Sequence, residues 1–402
     1  MVESRLMAEL TPVQPRERLV TLDVLRGFAL LGVLIGNSVL YSGRWTGAEP
    51  PPTTLDTIAD WFEMIVVSSK AQTLLTFLFG FGFAIQLLRA EDRHEPVMGL
   101  YLRRLVALLV LGSLHVYLLW WGDVTWTYAV AGFGLLPFMR ASNRTRVVVG
   151  LVLIFVPVIV TRIPDVFIAC ATVFMTGPEY GAATQRMAAA LHGPDHAGLG
   201  WEHVRYALVW EVSIYAWYFA WTLGRFLLGY VAGKLRWFDR DGADHLPVFR
   251  RMALWGGGVA LVTTTFDVLA RQHVIPPFGW DLVAVGVHEL GFVATTITYI
   301  GIIVLLMQRA TWRRILGILA PVGRMPLTTY YMQSAICTFI YYGWGLGWGG
   351  KVGAADTLGI ALAIFTVQIA VAHLWLRYFR FGPLEWVWRT AVYWKRQPMR
   401  IE

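Results

Sequence analysis

The chain has 402 residues, of which 56% are hydrophobic and only 15% are charged, and its mean hydropathy is +0.54. An average soluble domain carries about 25% charged residues, so this composition excludes a soluble enzyme, a disordered chain and a coiled coil. Long unbroken apolar runs also argue against an outer-membrane barrel, whose strands alternate. The sequence therefore predicts an all-α, polytopic integral membrane protein.

Ten segments are long and apolar enough to span a bilayer, which requires about 20 residues at 1.5 Å per residue. They are residues 22–41, 71–88, 105–121, 124–139, 147–169, 207–232, 252–270, 282–307, 325–343 and 355–376. The first run carries Asp23 and Arg26 and lacks a small-residue cleavage site. It is therefore interpreted as a retained span and not as a removed signal peptide.

The distribution of basic residues predicts the orientation of the chain. With the N-terminus in the cytoplasm, 25 of the 34 Lys and Arg residues fall in inside segments and six in outside loops. Cytoplasmic loops of membrane proteins carry such an excess, so both termini are predicted to be cytoplasmic. The net charge of +8 has the same explanation, and no nucleic-acid partner is expected.

The spans divide the chain into a tail and two halves. Residues 1–21 form a cytoplasmic tail, and residues 22–206 form an N-terminal transmembrane half that ends in a long outer loop, 170–206. Residues 207–402 form the C-terminal half. Its segment 383–394 is apolar but too short to span, which predicts an amphipathic helix lying in the cytoplasmic interface.

The third span contains the first candidate catalytic pair. His115 lies 12 residues after Arg103, roughly 18 Å along a helix, which places it in the outer half of the membrane. Asp123 follows at the expected outer mouth, at the turn into the fourth span. Histidine can move a proton near neutral pH, and a nearby carboxylate can orient it and stabilise its cation. The alternative is an interhelical hydrogen bond from His115 and a solvated Asp123.

Other polar residues within the spans are candidate binding residues, because ionisable and polar groups in a bilayer usually face a bundle interior or a wet cavity. Arg26 either pairs locally with Asp23 or anchors an anionic ligand from the cytoplasm. For the others, the alternative to a ligand contact is helix packing or a structural polar network. These candidate substrate-binding residues are Asn37 in the first span, Arg225 in the sixth, and Tyr331 and Gln333 on a polar face of the ninth.

Several cofactor motifs are absent from the sequence. Cys170 and Cys337 form no metal-binding motif, and no metal is expected. The chain has no P-loop, Rossmann glycine fingerprint or nucleophile elbow, which excludes an ATP-driven pump for this chain alone. The glycines of the GFGFA segment, Gly80 and Gly82, are interpreted as a helix-packing pair.

Several separated motifs resemble a known bacterial family across nearly the whole chain. They are RLVTLDVLRGFALLGVLIGNS at 18–38, KAQTLLTFLFGFGFAIQ at 70–86, the RRL…WWGDVTWTYAVAG block at 103–132, GRFLLGYVAGK at 224–234, GRMPLTTYYMQS at 323–334 and FGPLEWVWR at 381–389. The first three resemble the opening of the YeiB-like family. The last three resemble the domain of unknown function 418 that closes those proteins.

This family is similar, through its first spans, to a superfamily of transmembrane acyltransferases. The resemblance implies transfer of an acyl group, above all acetyl, from cytoplasmic acyl-CoA to a hydroxyl or amine of a sugar, lipid or small molecule. It implies His115 as general base, oriented by Asp123, with Arg26, Arg103 and Arg104 holding the CoA phosphates. In lysosomal relatives a working histidine lies in the loop after the first span, but residues 42–70 contain none. Either His115 takes that role or the chemistry differs.

Two other classes of function stay open. A transporter or exporter of a small solute could use the same intramembrane charges as a proton relay, and the chain could be a non-catalytic partner in a membrane complex. The expected location is the bacterial plasma (inner) membrane. The expected partners are the lipid bilayer and a small-molecule or glycan acceptor, and a homodimer is compatible with the sequence.

Overall fold

The protein is a bundle of helices in a computed structural model that describes residues 19–46, 50–92, 97–160, 177–274 and 281–401. Within those ranges no β-sheet forms, and a single isolated antiparallel bridge joins Phe379 to Arg400. The prediction of an all-α membrane bundle is confirmed. Most of the predicted N-terminal tail, and the start of the predicted outer loop 170–206, lie outside the described residues.

The α-helices are numbered here in chain order. They are α1 Val20–Tyr41, α2 Thr54–Phe62, α3 Lys70–Asp92, α4 Val97–Leu118, α5 Val124–Phe133, α6 Asn143–Val160, α7 Gly177–His192, α8 His196–Lys234, α9 Leu246–Arg251, α10 Gly257–Arg271, α11 Asp281–Met307, α12 Ala310–Gly317, α13 Ala320–Arg324, α14 Pro326–Tyr341, α15 Ala354–Tyr378 and α16 Pro383–Tyr393. Single π-helical turns, Glu63–Val67 and Met252–Gly256, follow α2 and α9.

Six helical stretches among the described residues are long and apolar enough to cross a membrane. They are Val20–Tyr41, Thr54–Arg89, Met98–Leu118, Asp239–Arg271, Gly286–Met307 and Ala354–Tyr378. The count of ten spans, with both termini cytoplasmic, stays a prediction.

Two predicted segments differ from the helices that form. The fourth predicted span, 124–139, does not form one continuous helix, because α5 ends at Phe133 and a 3₁₀ turn, Leu136–Phe138, follows. Ten helical residues rise only about 15 Å, half a bilayer. Conversely, α8 runs unbroken for 39 residues through the predicted boundary between the two halves at residue 206.

Small residues set the closest helix contacts. A side chain at Gly80 would overlap the backbone at Phe226 of α8, and one at Gly229 would overlap the backbone at Phe77 of α3. Such close approach is how helices pack in a bilayer, where lipid is as apolar as the side chains. The predicted interfacial segment forms α16, which packs against α4 and α14. This position lets α16 close one end of the bundle.

Candidate functional site

His115 and Asp123 meet in the interior of the bundle. Asp123 Oδ1 lies 3.2 Å from His115 Nδ1, within ion-pair distance but without the alignment of a hydrogen bond. On the other side of the ring, His115 Nε2 lies 2.8 Å from Ser334 Oγ, and Ser334 Oγ lies 2.6 Å from the Tyr41 hydroxyl. The four residues, from α1, α4, the α4–α5 turn and α14, form a polar chain that we call the relay.

The relay is sealed from solvent. The exposed fraction is 1% for His115, 0% for Asp123 and 0% for Ser334. The alternative in which Asp123 is merely solvated is therefore wrong. Its carboxylate accepts hydrogen bonds from the Trp126 backbone N–H at 2.7 Å and from the Thr125 hydroxyl, so it also caps α5. A buried carboxylate needs such donors because water does not reach it.

One cavity of about 280 Å³ extends from the arginine-rich end of the bundle to the relay. We call it the inner cavity. At one end it is lined by Arg26, Arg104 and residues of α16, and at the other by Val124, Thr125 and Tyr330. Thr125 bonds to Asp123, and the Tyr330 ring stacks on His115 with 5.2 Å between ring centroids. The cavity therefore ends on the neighbours of the His115–Asp123 pair, not on His115 itself.

Four guanidinium groups line the inner cavity. They belong to Arg26, Arg104, Arg324 and Arg389. The carboxylates there are already engaged, since Asp23 pairs with Arg26 at 3.0 Å and Glu385 accepts the Leu327 N–H at 2.6 Å. The cavity therefore carries an excess of positive charge, which favours an anionic ligand.

Adjacent arginines of α4 have different positions. Arg104 lines the inner cavity, stacks its guanidinium over the Trp388 ring at 4.9 Å, and has a buried Nε with no hydrogen-bond acceptor among the described residues. Arg103 is exposed and donates to the Gly99 carbonyl. Of the three arginines predicted to hold CoA phosphates, Arg26 and Arg104 line the cavity and Arg103 does not.

A second cavity of about 330 Å³ lies at the opposite end of α1. We call it the outer cavity. Its polar lining comes from Asn37, Glu63, Ser68, Ser69 and Gln72, and no lysine or arginine is among the described residues that line it. The predicted residue Asn37 therefore faces a cavity. Neither its side chain nor those of Glu63 and Gln72 make a hydrogen bond within the described part of the chain.

The two cavities share a wall. Leu75, Val124 and Tyr128 line both of them. Val124 directly follows Asp123 in the sequence, and Tyr128 is fixed by a 2.8 Å hydrogen bond between its hydroxyl and that of Thr76. The relay therefore lies beside the wall that the two cavities share.

The remaining predicted binding residues fall in different places. Tyr331 joins the site, with its ring 4.4 Å from the His115 ring and its hydroxyl 3.2 Å from that of Thr125. Gln333 faces away from His115 and donates to Gln368 Oε1, which ties α14 to α15. Arg225 lines neither cavity and forms a buried ion pair with Glu289 at 3.2 Å.

The two glycines of the GFGFA segment have separate roles. Gly80 is the close contact with α8, whereas Gly82 lines the inner cavity and a side chain there would meet no atom within 4 Å. The interpretation as a packing pair is right for Gly80 alone.

Sequence reasoning missed part of the site. Tyr41, Thr125, Tyr330, Ser334, Arg324, Arg389 and Glu63 were not among its candidate site residues. A usable signal existed for three of them, because Thr125 is two residues after Asp123, Tyr330 directly precedes Tyr331, and Ser334 directly follows Gln333. The arginines of α13 and α16 gave no such signal, since they lie in basic segments already explained by topology. Among the described residues, no cluster of His, Cys, Asp and Glu could hold a metal ion.

Together the fold and the site define a helical membrane protein with a buried polar centre between two cavities. The family model "Protein of unknown function (DUF418)" matches residues 232–395. The "Uncharacterized protein YxaH" of Bacillus subtilis (strain 168) is 31% identical, covering 98% of this chain and 98% of that protein. The chain therefore belongs to the DUF418 family, the YeiB-like group.

Other relatives show similar full-length coverage. The "Uncharacterized protein YeiB" of Escherichia coli (strain K12) is 27% identical over 94% of this chain and 96% of its own. The "Uncharacterized 39.9 kDa protein in amylase 3'region" of Bacillus acidopullulyticus is 28% identical over 97% of this chain and 98% of its own. No solved structure matches the chain.

Proposed function

We propose that this protein is a membrane-embedded acyltransferase that moves an acyl group, acetyl above all, from cytoplasmic acyl-CoA to a hydroxyl or amine. The acceptor would be a sugar, a lipid or a small molecule. One observation carries the proposal. The His115–Asp123 pair lies beside the wall shared by two cavities, one lined by arginines and the other by amides, hydroxyls and one carboxylate.

The inner cavity has the features that an acyl-CoA donor requires. Arg26, Arg104, Arg324 and Arg389 supply cations for phosphates, and charge-assisted contacts of this kind are the strong ones. Its apolar lining, which includes Leu30, Leu75, Leu78 and Leu108, suits an acyl-pantetheine arm. A volume of about 280 Å³ is near the lower limit of ligand pockets, so the nucleotide would stay at the arginines.

The relay supplies the proton transfer. Acyl transfer moves the acyl carbon from sulfur to the acceptor oxygen or nitrogen, and a proton from the acceptor to the departing CoA thiolate. His115 Nε2 would take and return that proton. Asp123, 3.2 Å from Nδ1, would hold the ring orientation and stabilise the imidazolium.

The outer cavity would hold the acceptor. Its side-chain amides, hydroxyls and single carboxylate match a neutral or amine-bearing polar compound better than a phosphate or carboxylate. This location is consistent with the predicted orientation of the chain, in which the arginine-lined end faces the cytoplasm.

A transporter is the second candidate, and a specific observation favours it. Two cavities at opposite ends of α1 that share Leu75, Val124 and Tyr128 as lining residues also suit a solute carrier that exposes its site to each side in turn. The acyltransferase accounts in addition for the arginine cluster and for the His–Asp pair.

Two matched cavity-filling variants distinguish the candidates. Gly82→Leu fills the inner cavity, and Gly36→Leu fills the outer cavity, where a side chain at Gly36 meets only atoms 3.9 Å away. Glycine is a poor helix former, so both variants should fold.

The readouts are calorimetry with CoA and transfer of labelled acetyl from acetyl-CoA to candidate sugars and amines. Gly82→Leu should lose CoA binding, whereas Gly36→Leu should keep CoA binding and lose transfer. If the wild-type protein binds no CoA, the acyltransferase proposal is wrong. If it also moves an intact solute into vesicles without acylating it, the transporter is correct.

A further inference from the structure

The Ser334 hydroxyl is within hydrogen-bond distance of a side chain that can act as a base, the His115 imidazole. Its Oγ lies 2.8 Å from His115 Nε2 and 3.4 Å from the Tyr330 carbonyl, and the shorter contact is the one to the imidazole. The carboxylate of Asp123 at 3.2 Å from Nδ1 favours the tautomer with its proton on Nδ1. Nε2 is then an acceptor, and the Ser334 O–H donates to it.

The rest of the relay agrees with this assignment. Ser334 uses its O–H in the hydrogen bond to His115, so its Oγ can accept a hydrogen bond from the Tyr41 O–H at 2.6 Å. Each hydroxyl then donates once. The order is carboxylate, imidazole, serine hydroxyl, which is the arrangement that activates a serine nucleophile on unrelated folds. No other side-chain hydroxyl bonds to the His115 ring within the described part of the chain.

We propose that Ser334 is the nucleophile of the acyl transfer and carries the acyl group as a serine ester between two half-reactions. The inference rests on the proposed function. In the first half, His115 Nε2 takes the Ser334 proton, Oγ bonds to the thioester carbonyl carbon, the carbon–sulfur bond breaks, and His115 gives the proton to the CoA thiolate. In the second half, His115 Nε2 takes a proton from the acceptor, the acceptor oxygen or nitrogen bonds to the ester carbonyl carbon, the bond from that carbon to Ser334 Oγ breaks, and His115 returns the proton to Oγ.

The two-cavity arrangement explains why such an intermediate is useful. The donor and acceptor cavities are separated by Leu75, Val124 and Tyr128, so two bound substrates would not touch. An ester on a residue beside the partition lets them react in turn. Tyr41, whose hydroxyl already points at Ser334 Oγ, is placed to donate to the oxyanion that forms on the thioester carbonyl.

Access from the inner cavity passes Tyr330. This residue lines that cavity and lies one helical turn before Ser334, and its ring stacks on His115. Its hydroxyl is held by long contacts only, 3.3 Å from the Val124 N–H and 3.5 Å from the Gly122 carbonyl. Rotation of this side chain would break only these long hydrogen bonds and would join the cavity to the relay.

The test uses purified full-length protein and acetyl-CoA without an acceptor. Labelled CoA should exchange into acetyl-CoA, because the first half-reaction is reversible. Acid-quenched protein should gain the mass of one acetyl group, which peptide mapping places on Ser334. Ser334→Ala should lose the exchange and about 10²-fold or more of transfer. Ser38→Ala is the matched control: this buried serine bonds to the Leu34 carbonyl and not to His115, and it should keep both.

The outcomes separate this inference from the function beneath it. Acetyl transfer to an acceptor without CoA exchange, or an acetyl group on a residue other than Ser334, overturns the serine ester and leaves the acyltransferase standing. The absence of CoA binding and of transfer in wild-type protein overturns both. Because the exchange and the mapping use wild-type protein, the result does not depend on whether Ser334→Ala folds.

Discussion

The inner and outer cavities have similar volumes, about 280 and 330 Å³, but opposite chemistry. Four arginines line the inner cavity, whereas the outer cavity has amides, hydroxyls and one carboxylate, Glu63. Three of these arginines, Arg104, Arg324 and Arg389, belong to the segments whose positive charge predicts a cytoplasmic location. The same charges can therefore set the orientation of the chain and select an anionic ligand, so a basic residue explained by topology is not thereby excluded from a site.

The largest expected effect is an all-or-none difference in the maleimide labelling of cysteines introduced at the two ends of the bundle. This difference decides which cavity faces the cytoplasm. In a Cys170→Ser background, Lys351→Cys should react with a membrane-impermeant maleimide in intact cells, and Arg309→Cys only after the inner membrane is breached. Both positions are exposed, and Cys337 is buried. The opposite pattern would place the arginine-lined cavity outside and remove cytoplasmic acyl-CoA as the donor.

Removing a side chain of the relay should lower acyl transfer without weakening CoA binding. His115→Ala should lower acyl transfer by roughly 10²–10⁴-fold, with CoA affinity unchanged because His115 lines neither cavity. Folding should survive, since an interhelical hydrogen bond averages about 0.6 kcal/mol in membranes.

Asp123→Asn is the variant to compare with His115→Ala. It keeps the shape of the side chain but removes its charge, and it should cause a smaller loss of transfer. A melting curve for each variant separates chemistry from stability. Normal turnover in a folded His115→Ala protein would remove His115 from the mechanism.

Adjacent arginines test the charge of the inner cavity. Arg104→Ala should weaken CoA binding by about tenfold or more, because one charge-assisted contact contributes roughly 1.5–3 kcal/mol. Arg103→Ala is the matched control, since that side chain is exposed and lies off the cavity. Calorimetry measures both. Equal weakening by the two variants would mean that surface charge, and not the cavity, attracts CoA.

The smallest effect is expected in the outer cavity. Glu63→Gln keeps the size of the side chain and removes its charge, so the KM for an amine or polyol acceptor should rise by up to about tenfold, as expected for a lost contact of about 1.4 kcal/mol. CoA affinity should not change. Asp60→Asn is the control, because Asp60 pairs with Arg44 and does not line the cavity. An unchanged KM in Glu63→Gln would move the acceptor elsewhere.

The site could be predicted in part because two signals are local. His115 and Asp123 are eight residues apart on either side of one turn, so a helix end followed by a helix start brings them together. Asn37 could be placed on a cavity because a polar side chain in a span seldom faces lipid. Arg225, by the same argument, was a binding candidate, but its partner Glu289 lies 64 positions away, and a pairing at that separation has no sequence signature.

The sequence alone determined that this is an all-α membrane protein of the YeiB-like group, because hydrophobic length and separated motifs are properties of the chain itself. Tertiary structure decided the rest of the site. It brought Ser334 within 2.8 Å of His115 across 219 positions, placed the arginines of α13 and α16 on one cavity, and buried Asp123. These contacts depend on which helices pack together, and helix packing in a bilayer is set by small residues and buried polar pairs that hydropathy does not reveal.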